Sequence, residues 1–513
     1  MGANKPAHTW IAVLGVVSCY PYTGNRSCIL PVFEMLLGRE PMIPFLVFVI
    51  AYFVFLIIIG LYAHKKTKKT PQDYFLANRT FGPILLFFTL AATNFSAFTF
   101  LGFAGNAYTS GFGQYGIMAF GTAFMAIMFY VIGRKVWQLG KEKGYITPPE
   151  LIGARFNSTS LRLLFMSVMV VFTIPYLATQ AIGAGLLIES VTGVVGVWQI
   201  GAVVTMLVIM IYVLVGGMRG SGWTDVVQGV LMIVALSLAV VFVAINLGGF
   251  EQANLLAYEA NPALFARPGG NDYFLPQIWF SFMILWLFAD PMFPQIFSRF
   301  YTAKNQRSLK QSMILYPVVV SFLFLFPVLI GVWAHGAGII VTQADMVLPL
   351  MVARYAPPLV YSFVMVGALA ALMSTADSQL LSLSTMLSRD IIRKKKWSDI
   401  AVGKIMVVVL SLFAIWFVIG QYDTKQGIMG TLVATTFSGL AVLFPTALAA
   451  LYWKKATKWG CIASILIGEA TIFVFQFTDL PTFGFLSALW AIAIAVVVLI
   501  LTSYITMPKH QSN

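Results

Sequence analysis

Apolar runs of about 20 residues recur along nearly the whole chain. Each is long enough to cross the roughly 30 Å hydrocarbon core of a bilayer as a helix. No water is available there to satisfy backbone groups, so such runs must hydrogen-bond internally. Composition agrees: 59% of the 513 residues are hydrophobic and 10% are charged, against about 25% charged in a soluble domain. The sequence therefore reads as an all-α polytopic membrane protein. About 13 spans begin near residues 43, 82, 115, 163, 197, 225, 273, 312, 356, 399, 428, 459 and 485.

The formal net charge of +14 does not point to nucleic acid, because its distribution is one-sided. With alternating spans and an outer N-terminus, 26 of the 32 Lys and Arg fall on one side. They cluster at Lys65/Lys66/Lys68/Lys69, Arg134/Lys135/Lys141/Lys143, Arg299/Lys304/Arg307/Lys310, Arg389/Arg393/Lys394/Lys395/Lys396 and Lys454/Lys455/Lys458. This skew follows the positive-inside rule and gives a multi-pass cell-membrane protein with its N-terminus outside and C-terminus in the cytoplasm. The partners it implies are lipid and a small solute.

Residues 1–42 form an extracytoplasmic segment of unclear role, with Met35 or Met42 as alternative starts and a poor match to a cleaved signal. Cys19 and Cys28 could pair there, and no metal spacing is present. Residues 43–505 are the membrane domain, and 506–513 a short tail. The stretch 249–272, with Pro262, Pro268, Gly269 and Gly270, reads as an outer loop.

Polar groups inside apolar spans cost free energy unless they have a partner or a task. Two stretches stand out: Thr89 to Ser96 in span 2, and Ala371 to Gln379 in span 9. Ala371, Ser374 and Thr375 fall at i, i+3 and i+4, so they share one helical face. If span 2 unwinds near Thr93, the carbonyls of Ala92 and Phe95 are freed. Five neutral oxygens then suit Na+, a hard cation that prefers oxygen ligands. The alternative is that these Ser and Thr residues join packed helices. Span 7 carries a more certain break, since Asp290-Pro291-Met292-Phe293-Pro294 cannot sustain a regular helix.

Several patches together resemble the sodium:solute symporter family over roughly 43–505. They are Asp73-Tyr74-Phe75-Leu76 with Arg79, the span-2 cluster after Gly82-Pro83, and Thr147-Pro148-Pro149-Glu150 with Arg155-Phe156. Gly216-Gly217-Met218-Arg219 with Trp223-Thr224-Asp225 and Gln228, Pro294-Gln295 with Arg299, and Met373 to Gln379 complete the series. The sodium/pantothenate-like branch is the most similar. The resemblance implies an inverted-repeat (5+5) bundle like that of the leucine transporter, with repeats at about 82–248 and 273–453. It implies sodium-coupled import of a small organic solute (a carboxylate, vitamin, amino acid or sugar) by alternating access in a functional monomer. It places the ion on Ala92, Phe95, Ala371, Ser374 and Thr375, with Asp225 as a way-station for its exit. Thr224-Asp225 reads equally as a helix cap.

In this architecture solute binds beside the mid-membrane breaks. The residues positioned to bind it are Thr93, Asn94, Ser96 and Phe98 in span 2, Gln180 in span 4, and Trp286 and Asp290 in span 7. Thr435, with Thr436 and Ser438, adds span 11. Trp286 also reads as packing and Gln180 as an interhelical tie. Asp290 reads as a cap, a proton site or a contact for a cationic solute group. Glu469 reads as paired to a neighbouring helix. No Arg or Lys falls clearly mid-span, which favours neutral or zwitterionic solutes. A proton-coupled symporter of the same fold is the nearest rival, ahead of a channel or a sensor. With His8, His64, His335 and His510 scattered at chain or span ends, an enzyme is not expected.

Overall fold

The computed structural model describes residues 41–507 except 69, 195, 392–397, 422–429, 431–435 and 479. Thr435, Cys19, Cys28 and nearly all of the 1–42 segment lie outside the described residues. So do 508–513.

Among the described residues, nine helices are long and apolar enough to cross a membrane. Two further spans are each two short helices bent at a break, Pro83–Asn94 with Phe98–Ser110 at 63° and Pro276–Met292 with Pro294–Thr302 at 57°. Ser438–Tyr452 is a shorter apolar helix of 15 residues. The count of 13 depends on Trp198–Asn246. That element has 49 residues, about 74 Å if straight, which is more than twice the hydrocarbon thickness. Gly217 interrupts it with φ 54° and ψ −158°, a conformation reserved for glycine, and this supports reading it as two spans.

Burial orders the bundle. The most apolar window of the helix running from Pro358 to Ile391 is 83% buried, against 22% for Met42–Lys66, so the first is the axis and the second a rim helix. The two broken spans pack on that axis. Their ends are tied by the bridge between Phe81 and Ala303. There Phe81 N donates to Thr302 O at 3.1 Å, and Lys304 N donates to Phe81 O at 2.8 Å. The start of one broken span is thereby fixed to the end of the other.

At the basic face, Thr147 opens the helix Pro148–Arg155 with a capping box, its side chain and that of Glu150 satisfying each other's backbone donors. Glu150 and Asp390 are then bridged by arginines. Arg162 Nε lies 2.5 Å from Asp390 Oδ1, and Arg389 Nη2 lies 2.9 Å from Glu150 Oε1.

The stretch 249–272 is not a plain loop. It holds a helix, Phe250–Ala260, followed by two 3-10 turns. Ala253 and Ala257, four residues apart, are fully buried, and the helix packs on Gln306–Gly336. The later prolines and glycines mask this short amphipathic segment in the sequence. Glu469 is buried, and neither carboxylate oxygen finds a partner among the described residues.

Candidate functional site

The first broken span stops being helical where small and polar residues replace bulky ones. Phe95 is extended, with φ −76° and ψ 116°. This interrupts the i→i−4 pattern and frees carbonyls upstream of it. On the facing axis helix, Ser374 Oγ donates to Ala92 O at 2.8 Å and to Ala371 O at 2.9 Å. Thr375 Oγ1 reaches Phe95 O at 2.8 Å, Thr93 O at 3.0 Å and Ala371 O at 3.3 Å. The structure therefore brings Ala92, Phe95, Ala371, Ser374 and Thr375 together, and adds the Thr93 carbonyl. All are buried. The donor set is neutral and all oxygen, which is the chemistry a hard monovalent cation prefers. The break itself is kept satisfied by Gln180. Its Oε1 accepts from Ala97 N at 3.0 Å, and its Nε2 donates to Tyr176 O at 3.1 Å.

Next to these oxygens lies a buried charged network. Arg299 is fully buried, although it closes a short helix leading into a basic loop. Its Nε donates to Thr89 Oγ1 at 2.9 Å, and its Nη2 to Ser221 Oγ at 2.9 Å and Ser378 Oγ at 2.5 Å. The same nitrogen lies 3.2 Å from Asp225 Oδ2, to which Thr89 also donates. Asp377 accepts from Tyr212 at 3.1 Å, Ser221 at 3.2 Å and Ser378 at 2.9 Å. Asp225 is thus an ion-pair partner inside a helix. It is not a helix cap, and Thr224 bonds the carbonyls of Gly220 and Ser221 within the same helix. Asp225 Oδ1 has no hydrogen-bond partner among the described residues. An intramembrane arginine was not expected from the sequence. Thr89, Ser221, Arg299, Asp377 and Ser378 were missed as a unit. The signal was available, since buried acids in spans need a counter-charge and Arg299 follows a double-proline break.

On the other side of the break a narrow cleft is lined by Asn94, Phe98, Trp286 and Asp290. Tyr176, Phe293, Phe324 and Phe437 also line it, with Thr99, Phe103, Met118 and Met125. Asn94 Nδ2 donates to the Tyr316 hydroxyl at 2.8 Å. Asp290 stands at the C-cap of Pro276–Ala289, its backbone N–H donating to Trp286 O, and does not cap the second half, whose N-cap is Phe293 with φ −59° and ψ 126°. Three expected solute residues are not among those lining the cleft. Thr93 Oγ1 shares a hydrogen bond with Ser378 Oγ at 2.9 Å, and Ser96 Oγ accepts from Tyr176 OH at 3.2 Å. Gln180 is spent on the break. Phe437 lies next to the expected Thr436 and Ser438, and it is the ring that faces the cleft.

The sodium:solute symporter family model matches residues 74–468. The osmoregulated proline transporter OpuE of Bacillus subtilis is 27% identical over 447 residues, covering 84% of this chain and 88% of that protein. The sodium/pantothenate symporter of Escherichia coli is 27% identical over 447 residues, covering 85% and 91%. Among solved structures, the substrate-bound outward-open state of a Na+-coupled sialic acid symporter superposes with a TM-score of 0.76 at 19% identity, covering 92% of this chain and 99% of that one. Mhp1, a nucleobase-cation-symport-1 family transporter in a closed conformation, gives a TM-score of 0.55 at 15% identity, covering 84% and 95%. The fold is accordingly the inverted-repeat bundle of the leucine transporter. With more than half its length matched by the family model, the chain belongs to the sodium:solute symporter family.

Proposed function

We propose that Ala92, Phe95, Ala371, Ser374 and Thr375 hold the Na+ that this sodium-coupled symporter carries with a small organic solute. The solute would sit in the adjoining cleft against Asn94, Phe98, Trp286 and Asp290. The observation that carries the reading is the pair of hydroxyls, Ser374 and Thr375, bonding carbonyls exposed by the break at Phe95. The Ser374 and Thr375 hydroxyls already converge on the Ala92, Phe95 and Ala371 carbonyls, so one cation placed among them would meet all five oxygens. Asp225, with its spare carboxylate oxygen, is a waiting position for sodium on its way to the cytoplasm. Residues 82–248 and 273–453 serve as the two inverted repeats, which is supported by each opening on a broken span. The basic skew supports an outer N-terminus and inner C-terminus. The residues named for both proposed sites come from one chain, which supports a functional monomer in the lipid bilayer.

The test is uptake and labelled-Na+ binding by the purified, reconstituted protein, with Ser374→Ala/Thr375→Ala beside it. A hydrogen bond to a charged group contributes about 1.5–3 kcal/mol. Losing two such ligands lowers sodium affinity by roughly 10² or more. Sodium dependence within about threefold of the unmodified protein, in a double variant that folds, rules the site out.

A further inference from the structure

We propose that the transported solute bears a positively charged nitrogen, as an amine or quaternary ammonium, held between the Asp290 carboxylate and the rings of Phe98, Trp286 and Phe437. The proposal rests on the solute site assigned above and deepens it. Asp290 is only 4% exposed and stands at the mid-membrane break. Among the described residues it takes part in none of the ion pairs. No Lys or Arg lines its cleft among the described residues. Asn94, which donates to the Tyr316 hydroxyl, lines the same cleft as Asp290. Elsewhere in this membrane core the acid Asp225 has been given an arginine. Glu469 is likewise without a partner, but Asp290 differs from it in lining the cleft, where an incoming cation meets it.

The surroundings say which charge. The ring centroids of Phe98, Trp286 and Phe437 lie 5.6, 5.3 and 5.0 Å apart pairwise, forming one aromatic wall. Aromatic faces attract organic cations, best of all those that shed water easily. A second Na+ fits poorly here, because rings and the Met118 and Met125 thioethers offer a hard cation few oxygens. The space between the rings is about that of one water molecule, so binding a small solute requires the rings to move apart.

The experiment uses full-length protein in liposomes under an inward sodium gradient. The labelled probes are choline, putrescine, L-proline and glycine betaine, set against pantothenate, N-acetylneuraminate, lactate and glucose. Uptake of at least one nitrogen cation is expected. Asp290→Asn should raise its KM at least about tenfold while labelled-Na+ binding stays within about threefold. Asp290→Glu, which keeps the charge, should preserve the order of preference among probes, and it covers the case in which the Asn variant folds poorly. Sodium-driven uptake confined to probes without a charged nitrogen overturns the proposal. So does an unchanged KM in Asp290→Asn; if the pH dependence of uptake vanishes at the same time, Asp290 is a proton site. Sodium binding with no nitrogen cation taken up also overturns it and leaves the sodium assignment standing. Failure of the unmodified protein to bind sodium brings down both.

Discussion

Removing Arg299 tests whether the buried network is an electrostatic unit or a set of separate contacts. At 3.2 Å, the Arg299–Asp225 attraction is about 5 kcal/mol at an effective dielectric of 20. Arg299→Met deletes it, together with the guanidinium bonds to Thr89, Ser221 and Ser378. Asp225 is left buried with the Thr89 hydroxyl as its remaining donor. Breaking one side of a buried pair costs about 3–5 kcal/mol, whereas removing both charges is often close to neutral. Arg299→Met is therefore expected to lose about 3–5 kcal/mol of stability. Asp225→Asn, which leaves the guanidinium near Asp377, should lose about 1–3 kcal/mol. The double variant should lose much less than the sum, giving a coupling energy of at least about 2 kcal/mol. Unfolding of purified protein in mixed micelles at pH 8, run as a double-mutant cycle, measures it. If the single losses add to within about 0.5 kcal/mol, the two charges do not act as a pair and the reasoning fails.

Two further perturbations test the backbone. Gln180→Leu strands the Ala97 N–H inside the bundle, and a buried unpaired donor costs about 1–3 kcal/mol, read by the same unfolding assay. Gly217→Ala puts a Cβ on a residue with φ 54° and ψ −158° and within 2.9 Å of Tyr74, so a loss of at least about 1–3 kcal/mol is expected, seen as a lowered midpoint of thermal unfolding.

What the sequence disclosed was set by local chemistry. The face formed by Ala371, Ser374 and Thr375 is legible because helical periodicity alone brings them together. The break after Asp290 is legible because proline cannot continue a helix. Arg299 was hidden because in the sequence it heads a run of inner basic residues; only the 57° bend turns its short helix into the core. The lining rings Phe324 and Phe437 were hidden because an aromatic residue in an apolar span looks the same whether it faces lipid, a neighbour or a cleft. Gln180 was recognised as needing partners. That its partner would be a donor set loose by a break in another helix depends on how the two spans pack, which spacing does not encode.

The four residues 92–95 give the proposed transport cycle its physical coupling. Their backbone meets the proposed sodium site through the Ala92, Thr93 and Phe95 carbonyls, while the Asn94 side chain lines the cleft beside Asp290 and donates to Tyr316. A cation that fixes those carbonyls also fixes where Asn94 points, and a solute that fixes Asn94 constrains the carbonyls in return. Linkage makes this reciprocal: whatever factor sodium adds to solute affinity, solute must add to sodium affinity. A coupling of about 1–3 kcal/mol is a factor of roughly 5–150 in each direction. The broken span is what makes this possible, because an intact helix would spend the same carbonyls on its own hydrogen bonds and leave the ion and the solute nothing in common to hold.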